Sequence, residues 1–222
     1  YLVSIQKNTL FIHSYDSCDV TAALNGSNWK IAIETSYPWD GVISLRVSGS
    51  EGSFPLALHL PGWCHSYALV RNGEILSMSS RDGYLYLEDV ANRDEIVLTL
   101  EMPVEWIFAN PRVREDTGKL ALTRGPVVYC LEEVDNGADL HLVRVAPVDA
   151  SQIKTCFEAE LLNGVVTVKT PAFRIDKDAW DDRELYSASA VCPLEPVELK
   201  WIPYYAWANR GRGEMYVWIH RT

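Results

Sequence analysis

Residues Trp29 to Gly49 read WKIAIETSYPWDGVISLRVSG. Trp29, Ile31 and Ile33 alternate with Lys30, Ala32 and Glu34, and Ile43, Leu45 and Val47 alternate with Ser44, Arg46 and Ser48. A period of two sends every second side chain to the same face, so each run predicts a half-buried β-strand. Tyr37-Pro38-Trp39-Asp40-Gly41 separates the runs with a strand-breaking proline and a turn-forming Asp-Gly pair. The stretch therefore predicts two strands of a sheet with one apolar face.

The same rhythm extends in both directions. TLFIHSY (residues 9–15), PLALHL (55–60), YALVRNG (67–73), GYLYLEDV (83–90) and DEIVLTLEM (94–102) are short runs of branched and aromatic residues, broken by turn residues about every ten positions, the spacing of a sandwich or barrel. Asn72-Gly73 and Asn163-Gly164 lie between apolar runs, where a tight hairpin needs two positive φ angles. No long stretch repeats apolar residues at helical spacing. The acidic run from Arg174 to Tyr186 suits a helical turn or an exposed loop. The chain reads as all-β, and its 222 residues suffice for one large β-domain or two ordinary ones. The best candidate boundary is EMPVEWIFANPRVREDTGK (101–119), where Pro103, Asn110 and Pro111 interrupt the strands before KLALTRGPVVYCLEE (119–133) starts afresh.

Composition excludes several function classes. The hydrophobic fraction is 48%, and no apolar run approaches the ~18 residues of a membrane span, so no membrane partner is expected. The net charge of −10, with no cluster of Lys and Arg, argues against a nucleic-acid partner. Five cysteines, Cys18, Cys64, Cys130, Cys156 and Cys192, are scattered and odd in number. They do not form a disulfide framework or a CxxC zinc spacing, and they read as small buried groups in a reducing, cytoplasmic setting.

Catalytic candidates are few. Asp181, Asp182 and Glu184 are carboxylates, but a glycosidase pair must face across a cleft, which adjacency in sequence does not supply. His13 alternates with Phe11 and Tyr15 and reads as one face of a strand. No G-x-S-x-G elbow, P-loop or G-x-G-x-x-G is present. The aromatics say more. Trp39 stands at a turn, Trp63 in LPGWC at a strand end, and IPYYAWANRGRGEMYVWIH (202–220) gathers two tryptophans and three tyrosines. Exposed rings of this kind stack on sugars, while buried ones fill cores.

YPWDG (37–41), LPGWC (60–64), LTRGPVVYCLEEVDN (122–136) and IPYYAWANRGRGEMYVW (202–218) occur in the order seen in glycoside hydrolase family 127, the β-L-arabinofuranosidase-like enzymes, which the chain therefore resembles over nearly its whole length. The resemblance covers only the part after the catalytic (α/α)6 barrel, where such enzymes hold a zinc ion and a nucleophilic cysteine. No catalytic, cofactor or metal residue carries over to this chain, and zinc is implied for the barrel alone. Where the family often has Arg two residues before the proline of LPGW, this chain has His59.

The resemblance implies two jelly-roll-like β-sandwiches, the second inserted into the first: residues 1–106 as the main part of the first, 107–195 as the second, and 196–222 as closing strands of the first. VELKWIPYYAW and EMYVWIH would be two strands joined by ANRGRG. Met215, Val217 and Ile219 would lie on one face, with Tyr216, Trp218 and His220 on the other. The implied role is a non-catalytic support for the barrel of the same parent protein, with a homodimer contact as a further option. The alternative is a carbohydrate-binding module for arabinose-containing glycans. Trp39, Trp63 and Trp218 are the candidate sugar or domain contacts on either reading.

Since none of the five cysteines has metal-ligand spacing, metal analysis of the purified protein should find no stoichiometric zinc, and thiol titration after denaturation should find all five reactive.

Overall fold

The structure, a computed structural model, describes residues 2–181, 183–188 and 192–222. The chain forms two compact units, Tyr1–Met102 and Pro103–Thr222. No helix among the described residues is long and apolar enough to cross a membrane.

The first unit holds β1 (Val3–Gln6), β2 (Thr9–Ile12), β3 (Cys18–Leu24), β4 (Ser27–Thr35), β5 (Val42–Gly49), β6 (Ser53–His59), β7 (Tyr67–Arg71), β8 (Glu74–Ile75), β9 (Tyr84–Ala91) and β10 (Glu95–Leu100). They make a four-stranded sheet, β1-β2-β6-β9, and a six-stranded sheet, β3-β4-β5-β10-β7-β8. Trp29, Ile31 and Ile33 of β4 and Ile43, Leu45 and Val47 of β5 are all buried, as their alternation requires. They share one core with Leu10, Ile12, Phe54, Leu56, Leu58, Leu85 and Leu87 of the other sheet, each contributing about 1.5–3 kcal/mol by leaving water. The Trp29 and Phe54 rings, from different sheets, lie 4.8 Å apart.

Turn chemistry sets the register. Asn72 and Gly73 have φ of 54° and 84° between β7 and β8, the hairpin expected there. Asn25-Gly26 makes an equally tight turn between β3 and β4, with Leu24 opposite Ser27. The buried Asp94 carboxylate accepts bonds from Arg71 Nη2 (2.7 Å), Asn72 Nδ2 (2.7 Å) and Ala91 N (2.8 Å). Burial alone would raise its pKa, but these donors hold it below the usual carboxylate range.

The second unit holds β11 (Val104–Phe108), β12 (Lys119–Arg124), β13 (Val127–Glu132), the one-turn helix α1 (Glu133–Asn136), β14 (Val143–Val145), β15 (Lys154–Glu158), β16 (Val165–Ile175), β17 (Leu194–Pro203), β18 (Met215–Tyr216) and β19 (Ile219–Arg221). Strand pairing here returns on itself: β12 pairs with β13 and β19, β19 with β14, β14 with β16, β16 with β17, and β17 with β13. The sheet wraps one core that includes Leu120, Tyr129, Leu131, Val168, Leu199, Trp201 and Ile219.

This circuit corrects the expected split of the first sandwich. Among the described residues, 196–222 add no strand to the two sheets of residues 1–102; β17, β18 and β19 pair with β12, β13, β14 and β16. The reason is burial: Leu199, Trp201 and Ile219 complete the second core, and their strands close edges that would otherwise stay open. The boundary lies at Met102/Pro103, inside the stretch singled out but before residue 106.

Two local expectations also change, and the acidic run keeps the helical turn expected of it. EMYVWIH is not one strand, because β18 ends at Tyr216 on β13 and β19 starts at Ile219 on β12 and β14. The break shifts the alternation, so Tyr216 and Ile219 both pack on the core. Asn163 and Gly164 have positive φ, but they end a six-residue connection, since Glu158 is opposite Val165. The 174–186 run supplies the end of β16 and one 3-10 turn, Lys177–Ala179.

Removing residues 194–222 should therefore unfold the second unit and leave the first intact. Hydrogen exchange of the truncated chain should retain full protection in β4 and β5 and lose it in β12, β13 and β16; loss in β4 and β5 would restore the split-domain arrangement.

Candidate interaction surfaces

The YPWDG and LPGWC motifs meet at one end of the first unit. The Tyr37-Pro38 peptide is cis. The Tyr37 ring stacks on Trp63 with centroids 6.4 Å apart and packs edge-on against Tyr15 at 6.1 Å. Tyr15 is buried, and its hydroxyl donates to the His59 carbonyl. Burial raises the Tyr37 pKa, opposed by its hydrogen bond with Trp63. Gly41 is required by space: a Cβ there would lie 1.9 Å from the Leu100 carbonyl oxygen, at the point where Leu100 N donates to Gly41 O (2.9 Å).

Trp39, Trp63 and Trp218 are each half-buried. Trp63 packs on the first core, as do Tyr37 and Leu60. Trp39 closes the turn after β4, its backbone N–H donating to the Ser36 carbonyl (2.8 Å). Trp218 occupies the break between β18 and β19 in the second unit. The structure brings Trp63 together with the YPWDG loop through Tyr37.

Two further surfaces escaped the reading of the strands one at a time. The first is the outer face of the four-stranded sheet. Register aligns Ser4, Phe11, Ala57 and Tyr86 in one cross-strand row, and pairs His59 with Tyr84. Phe11 meets Tyr84 edge-on at 5.3 Å and Tyr86 at 6.1 Å. His13 shares hydrogen bonds with Ser4 Oγ and the Tyr84 hydroxyl, each 2.7 Å. Arg81 sits over the Tyr86 ring at 4.3 Å. Burial lowers the His59 pKa, which favours the uncharged ring. The signal was present in sequence as F-x-H, A-x-H and Y-x-Y, polar positions of alternating strands filled by rings.

The second surface is the 204–214 loop. Tyr204 and Trp207 stack with planes 5° apart, and Tyr204, Tyr205 and Trp207 are exposed. A buried charge cluster fixes the loop. Arg210 donates to Asp135 Oδ1 (2.9 Å) and Glu132 Oε2 (3.2 Å), and Ala208 N donates to Glu132 Oε1 (3.0 Å). Glu132 is only 5% exposed. Lys200 Nζ reaches Glu158 at 2.9 Å and Asp135 at 4.0 Å, while its backbone is bonded both ways to the Asn136 amide. The aromatics of the tail thus divide, with Trp201 fully buried in the core and Trp207 held outward.

Other polar clusters are occupied by their own loops. Asp139, His141 and Glu214 bring ligand atoms within 4.8 Å of one another, but Lys177 Nζ takes Asp139 Oδ2 (2.5 Å) and Leu140 N–H takes Glu214 Oε2 (2.6 Å). Asp181 pairs with Arg183 (2.7 Å); Asp182 lies outside the described residues. Of the cysteines, Cys64 and Cys130 are buried, Cys18 and Cys192 half-buried, and Cys156 exposed, which departs from five buried thiols. Burial pushes the Cys130 thiol up to about 12.

Comparison with known families agrees with the division into two units. Residues 104–220 match the glycoside hydrolase family 127 C-terminal domain, and residues 9–103 match the β-L-arabinofuranosidase GH127 middle domain. The chain belongs to glycoside hydrolase family 127. It is 43% identical over 203 residues, 88% of its length, to a non-reducing end β-L-arabinofuranosidase of Bifidobacterium longum, of which it spans 31%. A solved GH127 β-L-arabinofuranosidase from Geobacillus stearothermophilus T6 superposes on all of the chain with a TM-score of 0.94 and 42% identity, and 35% of that protein is covered. A solved GH127 β-arabinofuranosidase matches all of the chain with a TM-score of 0.87 and 28% identity, and 36% of it is covered. The GH127 chain thus spans about a third of the length of these relatives, in their middle and C-terminal domains, and the catalytic barrel is not among its residues.

Arg210 is the keystone of the GH127 C-terminal loop. Arg210→Met should destabilise the second unit by about 3–5 kcal/mol, because the buried Glu132 carboxylate is left without its cation. Denaturant melts should show Glu132→Gln/Arg210→Met recovering part of that loss.

Proposed function

We propose that this chain is the supporting, non-catalytic region of a β-L-arabinofuranosidase-type glycoside hydrolase, joined in the parent protein to a catalytic barrel that it keeps folded. The match of its two domains to the middle and C-terminal domains of family 127, within a third of the relatives' length, carries this reading. On this reading the zinc ion and the nucleophilic cysteine belong to the barrel. The way the chain uses its rings supports the same role: Tyr37, Trp63 and Trp201 pack inward, and the buried polar groups Asp94 and Glu132 are bonded to fix loops. A support needs such stiffness, because a domain that holds another in place must not deform under it.

Expressed alone, the chain should be folded and release no nitrophenol from nitrophenyl β-L-arabinofuranoside. The parent protein lacking these residues should be insoluble or melt at lower temperature, since apolar surface would be uncovered. Turnover by the isolated chain, abolished by substituting one of its own cysteines or carboxylates, would overturn the proposal. Saturable binding of arabino-oligosaccharides, lost in Trp63→Ala, would favour the carbohydrate-binding reading.

A further inference from the structure

We infer that the outer face of the four-stranded sheet, built on Phe11, His13, Tyr84 and Tyr86 with Arg81 at its margin, is the surface on which the N-terminal part of the parent protein packs. The inference rests on the supporting role proposed above and names the face that performs it. A sheet face left to water carries polar residues at its outward positions. Here the rows through Phe11 and His59 are filled on β2, β6 and β9 by Phe11, Ala57, His59, Tyr84 and Tyr86, with Ala57 fully covered, and contain no carboxylate; Thr9 of β2 and the exposed Glu88 and Asp89 of β9 lie outside these rows.

The rings are also held in place before any partner arrives. Ser4, His13 and Tyr84 form a chain of hydrogen bonds, and Phe11 is wedged edge-on between Tyr84 and Tyr86. Fixed aromatics lose little rotamer entropy on docking, which suits a permanent interface. Two observations select the occupant. The domain is the middle one of its family and the relatives are about three times longer, so a preceding domain is available. The strand nearest that domain in sequence, β1, is the edge of this same sheet, so the preceding chain joins at the margin of the aromatic face. The partner surface should be apolar, with a carboxylate set opposite Arg81 at the rim.

Hydroxyl-radical footprinting of the full-length parent and of the 222-residue chain tests this. Labelling of Phe11 and Tyr86 should be about tenfold lower in the parent, because interface cores exclude water. Arg81→Glu and Phe11→Thr/Tyr86→Thr should lower the parent's melting temperature, and Arg81→Glu, at an exposed position, should leave that of the 222-residue chain unchanged. Equal labelling in the two proteins would overturn the inference. So would protection of the 222-residue chain by arabino-oligosaccharides or by raising its own concentration, which would identify a sugar or a second copy as the occupant. If the parent lacking residues 1–222 stays stable and active, the supporting role itself fails. If it collapses while labelling is equal, only this face is wrong.

Discussion

An open strand edge is the constraint on which the second domain depends. Its pairing circuit runs from Lys119 to Arg221, and the strands that close it, β17 and β19, come last in the chain. Without them β12, β13, β14 and β16 would expose unpaired backbone groups and the apolar side of Leu120, Leu131 and Val168. That makes the aromatic C-terminus structural first: Trp201 lies at the centre of the core, with its indole N–H donating to Thr170 Oγ1 (2.9 Å). Any outward function of the neighbouring loop is built on this closure.

The buried charge cluster serves the same end differently. A carboxylate as enclosed as Glu132 is costly unless every oxygen has a donor. Arg210 and Ala208 N provide them, and in doing so tie the 204–214 loop to β13 and α1. Gly213 fits because a Cβ there would press on Glu133 at 3.0 Å. The loop that displays Tyr204, Tyr205 and Trp207 is therefore rigid, as is the ring layer of the first domain, which Ser4, His13 and Tyr84 brace by hydrogen bonds.

How legible this was depends on the range of the interaction. The alternation of Trp29 to Val47 determined two strands and their buried faces, because a period of two is a local property of extended chain. Asn72-Gly73 determined a hairpin for a similar reason: two positive φ angles are accessible to few residues. The domain boundary was legible only as the stretch 101–119, which Pro103, Asn110 and Pro111 interrupt and which contains the Met102/Pro103 division. The four ordered motifs were sufficient for the family, since they span nearly the whole chain.

What only the tertiary structure decided are the relations between residues distant in sequence. Alternation says that β17 has a buried face but not which core it fills; that choice followed from the fit of Leu199 and Trp201 between strands of the second domain. The break at Val217 and Trp218 arises because β18 and β19 pair with different strands, which no local pattern encodes. Likewise Phe11, His13, Tyr84 and Tyr86 form one surface only because β6 lies between β2 and β9. By itself the sequence determined strands, turns and family, all set by local backbone preference or by ordered motifs. Partner strands and shared faces were decided in three dimensions, where burial and edge pairing select among arrangements that are locally equivalent.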